Sequence, residues 1–271
     1  MSANTVSIRN NVTDKGSGEP ILFAHGYGCD QQVWRHLAPA FSAHRVILFD
    51  HVGAGHSDLS AFNRFKYRSL KGYASDLIEL CEELGLEKVT VVGHSVSAMI
   101  CALAAIERPD LFKSLVMVAP SPCYINHDDY VGGFAAEDID GLLRLLDSNH
   151  QGWYTTMAPV IMGNGERPEL AEELASSFCR MDPEIARHFA RVTFMTNNLA
   201  DLPKVRTPTL ILQCTKDSIA PVTVGTYMHR VMEESQLVLM QATGHCPHLS
   251  APDETIAAIK RFLAAGADPV Q

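Results

Sequence analysis

Ser95 lies in the stretch Gly93-His94-Ser95-Val96-Ser97, between an apolar run, Lys88-Val89-Thr90-Val91-Val92, and an Ala-rich stretch reaching Arg108. A strand that runs directly into a helix through Gly-x-Ser-x-small forms a nucleophile elbow. Its sharp turn holds the serine in strained backbone angles and exposes the hydroxyl above the sheet. Side chains two positions away on either side would collide, so both must be small. Gly93 meets this requirement fully, and Ser97 replaces the usual glycine with a side chain small enough to fit. A helix starting at Val96 also offers free N–H groups and its positive dipole end to a developing oxyanion.

A serine hydroxyl needs a base, and the base needs an acid to position it. Twelve histidines compete for the first role. His245 follows the apolar run that ends at Met240, comes directly after Gly244, and precedes the last helical pattern; His248 is the alternative. Asp217, in LILQCTKDSIAP, follows a strand-like run and completes the chain order Ser, Asp, His. Asp128 and Asp129 are alternative acids, whereas Asp50 ends a strand too early for this order and instead suits the Gly53–Ser57 turn. A second oxyanion donor is expected in the loop after an early strand. His25-Gly26-Tyr27-Gly28 stands there, with glycines that let the Tyr27 N–H converge with that of Val96. No GxGxxG or GxxxxGK[ST] pattern accompanies these glycines, which argues against a phosphate loop. His245-Cys246-Pro247-His248 brings metal-type ligands together without a fourth elsewhere, so neither a metal nor a cofactor is expected.

The elements needed to hold these residues are legible as alternation. Apolar runs at Pro20–Ala24, Arg45–Phe49, Val89–Val92, Leu115–Val118, Thr209–Leu212 and Leu237–Met240 read as strands. Helical patterns occupy Gln31–Phe41, Leu70–Leu84 and Val96–Arg108. Continuous apolar strands alternating with helices imply a mostly parallel central sheet flanked by helices on both faces. From Cys123 to Ala200 the pattern turns helical throughout: Leu142, Leu145 and Leu146 recur at helical spacing, and Leu170, Leu174 and Phe178 form a stripe. Asp182-Pro183-Glu184 is an N-cap, an N1 proline and an acidic first turn. The expected division is an α/β core at 1–122 and 201–271 with a helical lid at 123–200.

Bulk properties restrict the partners. The 271 residues are 46% hydrophobic and 20% charged, enough for a full core, and the net charge of −9 argues against nucleic acid or an anionic membrane as partner. Seven cysteines, an odd number without CxxC, read as reduced thiols, and the first twenty residues carry no apolar signal core. The expectation is a soluble cytoplasmic protein.

Five stretches together resemble the α/β-hydrolase fold, and within it the subgroup of the bacterial stress regulator RsbQ and the plant karrikin and strigolactone receptors. They are HGYGCDQQVW at 25–34, RVILFDHVGAGHSD at 45–58, GHSVSAMI at 93–100, SPCYINHDDYVGGF at 121–134 and GHCPHLSAPDE at 244–254. The resemblance implies a four-helix lid, a triad of Ser95, Asp217 and His245, and an apolar pocket drawn from Tyr27, Val96, Phe134, Trp153, Met157, Phe194 and Ile219. It implies hydrolysis of a small apolar ester or lactone, or alternatively a ligand sensor that engages a PAS-domain protein phosphatase. C–C bond hydrolysis and perhydrolysis are further chemistries of the same triad. An aspartate nucleophile is excluded, since the elbow carries Ser95.

Overall fold

The computed structural model describes residues 5–266. Seven strands form one sheet: β1 (Thr13–Lys15), β2 (Pro20–Ala24), β3 (Arg45–Leu48), β4 (Val89–His94), β5 (Phe112–Val118), β6 (Thr209–Lys216) and β7 (Ser235–Thr243). Their order is β1-β3-β2-β4-β5-β6-β7. Only β1 runs antiparallel, against β3; every other pairing is parallel. β4 is buried along its whole length, as an inner strand covered on both faces requires.

The helices are α1 (Val6–Arg9), α2 (Leu70–Glu83), α3 (Val96–Glu107), α4 (Ala136–Ser148), α5 (His150–Met162), α6 (Pro168–Cys179), α7 (Pro183–Phe194), α8 (Val222–Val231), α9 (Pro247–Ser250) and α10 (Pro252–Ala264). Helix α3 lies along β4 and β5 and packs on α2, while α8 and α10 cover β6 and β7. Leu77, Leu80 and Tyr73 of α2 are buried, giving the apolar stripe its place in the core. No helix among the described residues is long and apolar enough to cross a membrane.

Helices α4 to α7 form one insertion between β5 and β6. It leaves the sheet at the C-terminal end of β5, the edge to which β4 also delivers Ser95. Asp182 caps α7, its carboxylate accepting from the Glu184 and Ile185 N–H groups at 3.0 Å each. Helix α5 packs on α6 and on α4, and α4 packs on α7, so the four helices brace one another.

Three segments differ from the sequence-based expectation. Gln31–Phe41 forms two short 3₁₀ segments, Gln31–Trp34 and Ala38–Phe41, rather than one helix. Pro39 sits in the second segment and has no N–H to continue a helical ladder. Strand β1 has three polar residues and no apolar alternation. It is held at the sheet edge by its β3 pairing and by an Asp14–Arg45 ion pair of 2.6 Å. The start of the insertion is not helical: residues 123–135 form an extended loop with isolated bridges, Cys123 to Asn197 and Ile125 to Phe134.

Candidate active site

Ser95 has φ 55° and ψ −123°, a left-handed backbone that a non-glycine residue adopts only when its surroundings enforce it. Two bonds hold the turn: Ser95 N–H donates to the Val118 carbonyl at 2.8 Å, and Ala98 N–H donates to the Ser95 carbonyl at 3.0 Å. The approach is so close that a Cβ on Gly93 would stand 2.6 Å from the Ser97 carbonyl oxygen.

Ser97 does more than fit. Its buried hydroxyl donates to the His25 carbonyl and receives the His51 Nε2 proton at 2.7 Å. The His51 backbone N–H in turn donates to His25 Nε2 at 3.1 Å, which places the His25 proton on Nδ1, facing the Gly26 carbonyl at 2.9 Å. The elbow and the His25–Gly28 loop are thus tied together from below. Gly28 adopts φ +76°, and a Cβ there would run into the Phe178 ring at 1.7 Å. Among the described residues the Tyr27 N–H has no backbone acceptor. The Val96 N–H, first in α3, lacks an intrahelical one by its position. Tyr27 lines the same cavity as Ser95, and Val96 follows Ser95 directly in the chain.

His245 Nε2 stands 2.7 Å from Ser95 Oγ, and His245 Nδ1 stands 2.7 Å from Asp217 Oδ2. The other Asp217 oxygen accepts from Ile219 N–H at 2.8 Å and Ala220 N–H at 3.1 Å, which fixes the carboxylate plane. With Nδ1–H given to the carboxylate, Nε2 presents its lone pair to the serine proton. The backbone of His245 is clamped as well. Its N–H donates to Ile161 of α5 at 2.8 Å, and its carbonyl accepts from His94 Nε2 at 2.8 Å. His248 lies instead against Trp34 and His94, with ring centroids 4.8 and 4.3 Å away. Asp128 and Asp129 are exposed on the insertion's first loop. Asp50 accepts from Gln31 N–H, His56 N–H and Asn11 Nδ2, ordering its own turn. Among the described residues no three His, Cys, Asp or Glu side chains form a metal-binding group.

Above Ser95 lies a cavity of about 30 Å³, room for water and not for an ester. Tyr27, Met157, Phe194 and Ile219 line it, as does His245. Trp153 and Phe134 do not. Trp153 stands one layer back, edge-on to Tyr27, and the half-buried Phe134 packs against the core from the loop whose backbone bridges to Ile125. Val96 contributes its backbone at the elbow rather than a wall. Tyr27 also anchors the insertion: its hydroxyl donates to the Ala186 carbonyl of α7 at 3.2 Å. Its ring meets Phe178 and Phe194 at 5.6 and 6.0 Å. The wall contains residues that the sequence did not single out for this place. Tyr124, its hydroxyl 3.4 Å from Ser95 Oγ, lies within the SPCYINHDDYVGGF stretch, and Phe178 and Leu174 belong to a stripe that reads equally well as core. Thr193 carries no sequence signal beyond its position before Phe194.

The family model described as "Alpha/beta hydrolase family" matches residues 21–258. The chain is 40% identical over 254 residues to the "Probable esterase D14L" of Oryza sativa subsp. japonica, covering 93% of this chain and 94% of that protein. It is 39% identical over 261 residues to the "Karrikin insensitive 2 receptor CA" of Petunia hybrida, covering 95% and 97%. Among solved structures, a hydrolase from Oleispira antarctica, olei00960, superposes with a TM-score of 0.93 at 42% identity, covering 96% of each chain.

Burial around the site has a measurable consequence. His25, His51, His94 and His248 are all held below the ordinary histidine value of 6.5, chiefly by desolvation, and His248 falls to about 3. Between pH 6.5 and those lower values the unfolded chain binds protons that the native state refuses. Stability is therefore complete above pH 6.5 and declines as the pH falls, by about 1.4 kcal/mol per pH unit for each such group. The melting temperature should drop steadily from pH 7 to pH 5, and His248→Phe should shallow that slope by one proton. An unchanged slope in the variant would show that His248 is not a neutral buried group.

Proposed function

The chain belongs to the α/β-hydrolase family, and on that premise we propose that it is a serine carboxylic-ester hydrolase acting on a small apolar ester or lactone. The observation that carries this reading is the run of two 2.7 Å hydrogen bonds from Ser95 through His245 to Asp217, set beneath a small, mostly apolar cavity. Ser95 Oγ attacks the carbonyl carbon as His245 Nε2 takes its proton, and Asp217 orients the imidazole and stabilises its charged form. The Val96 and Tyr27 N–H groups receive the developing oxyanion, which collapses to an acyl-enzyme as His245 returns the proton to the leaving oxygen. Water, activated by the same histidine, then releases the acid and restores Ser95.

Residues 123–200 act in this reading as a lid on the core formed by 1–122 and 201–271. The small cavity means that a substrate reaches Ser95 only after lid side chains part, so opening gates turnover. The wall of Tyr27, Met157, Phe194 and Ile219 selects small apolar groups, since extra methylenes would overpack it.

A second reading draws on the relationship to the petunia receptor: hydrolysis coupled to signalling. In this reading the reacted lid engages a protein partner, which the resemblance seen in the sequence makes a regulatory phosphatase. Steady multiple turnover of the isolated protein favours the plain esterase, and a single turnover that leaves the ligand trapped favours the sensor.

Ser95→Ala should abolish hydrolysis of short-chain p-nitrophenyl esters, with a loss in kcat on the order of 10⁴ or more and an unchanged circular dichroism spectrum. His245→Ala should match it, and Asp217→Asn should cost as much or less. A Ser95→Ala variant that keeps a tenth of the activity would remove the assignment. Phe194→Ala should extend the accepted acyl length in a kcat/KM series; an unchanged profile would return Phe194 to the core.

A further inference from the structure

The cavity wall is apolar except for a few groups, and one of these has no explained role. Thr193, on the last turn of α7, is 1% exposed and lines the same cavity as Ser95. Among the described residues its hydroxyl has no hydrogen-bond partner. A threonine inside a helix usually bonds back to the carbonyl one turn earlier, which would satisfy it at no cost to its surroundings. Here that bond is not made. A buried hydroxyl without a partner is destabilising, and valine would fill the same space without the penalty. The polar groups nearer the reaction are already assigned: His245 and the Tyr27 and Val96 amides serve the scissile group, and the Tyr124 hydroxyl lies against Ser95 Oγ. Thr193, by contrast, is carried by the lid, among Met157, Phe178 and Phe194.

We propose that Thr193 is a specificity-determining residue whose hydroxyl donates a hydrogen bond to a second oxygen of the substrate, remote from the carbonyl under attack. The substrate class is then a small oxygenated ester or lactone, with an ether, ring or carbonyl oxygen on the lid side, rather than a plain hydrocarbon ester. This rests on the serine-hydrolase reading and sharpens it. A site built to bond a polar atom rejects the isostere that lacks it, because its own group is then left unpaired.

The test compares isosteric pairs in wild type, Thr193→Val and Thr193→Ser. For the acyl side the pair is p-nitrophenyl methoxyacetate and p-nitrophenyl butyrate; for the alcohol side it is 2-methoxyethyl acetate and butyl acetate. In each pair one CH₂ becomes oxygen, and the intrinsic difference in reactivity cancels when the kcat/KM ratios of two proteins are compared. Thr193→Val should lower the oxygenated-to-hydrocarbon ratio about tenfold in at least one pair, and Thr193→Ser should restore it. Ratios equal within twofold in all three proteins, for both pairs, would overturn the role of Thr193 while leaving the hydrolase reading intact. If wild type turned over none of these esters, the hydrolase reading would fail separately. Thermal-shift titration with tetrahydropyran-4-one against cyclohexanone, ring isosteres that differ by an oxygen across the ring from the carbonyl, would then read the same contact. Loss of the preference for the oxygenated ring in Thr193→Val supports it, and equal shifts overturn it.

Discussion

His245 is held by three parts of the chain that are distant in sequence. Asp217, after β6, fixes its ring; His94, on the elbow, bonds its carbonyl; and Ile161, on the insertion, accepts its backbone N–H. Each bond removes one way for the imidazole to turn away from Ser95. Because the same residue touches the sheet, the elbow and the insertion, the position of the helices above the site and the position of the base are not independent. A shift of α5 that opened the cavity would act directly on the His245 backbone.

A second tie lies beneath the first. Ser97, where the elbow more usually has glycine, uses its hydroxyl to join the His25 carbonyl and the His51 ring, and His51 joins back to His25. These bonds set the height of the loop that carries Tyr27 relative to the elbow that carries Val96. Two amides can converge on one oxyanion only if that height is fixed. Tyr27 then carries the connection upward, through its hydroxyl to α7 and its ring to Phe178 and Phe194. The chemistry proposed for the site therefore rests on buried polar groups bonded in a continuous chain from the sheet to the lid, enclosed by an apolar wall.

How much of this was legible in the sequence depended on the range of the interaction. The elbow was readable because its demands are local: small residues at Gly93 and Ser97, an apolar strand before Ser95 and a helix after it. His245 and Asp217 were readable because each follows a strand, so the sheet order places them. The strands themselves were readable as apolar runs, whereas β1 was not, since its pairing is a property of the edge it joins. Gln31–Phe41 misled because its spacing mimics a helix that Pro39 interrupts. Trp153 and Phe134 were expected at the wall, yet which face of a helix or loop turns inward is set by tertiary packing. Thr193 was invisible for the same reason. An unpartnered hydroxyl is defined by what fails to surround it, and no spacing records that.

The central claim is that Ser95 carries the acyl group during turnover. The most direct measurement is mass spectrometry of the protein mixed with p-nitrophenyl acetate and quenched in acid within the first turnovers, followed by peptide mapping. The account predicts one acetyl group on the peptide containing Ser95 in the wild type and none in Ser95→Ala. An acetyl group on any other residue, or continuing hydrolysis with no acylated protein in either, would contradict it.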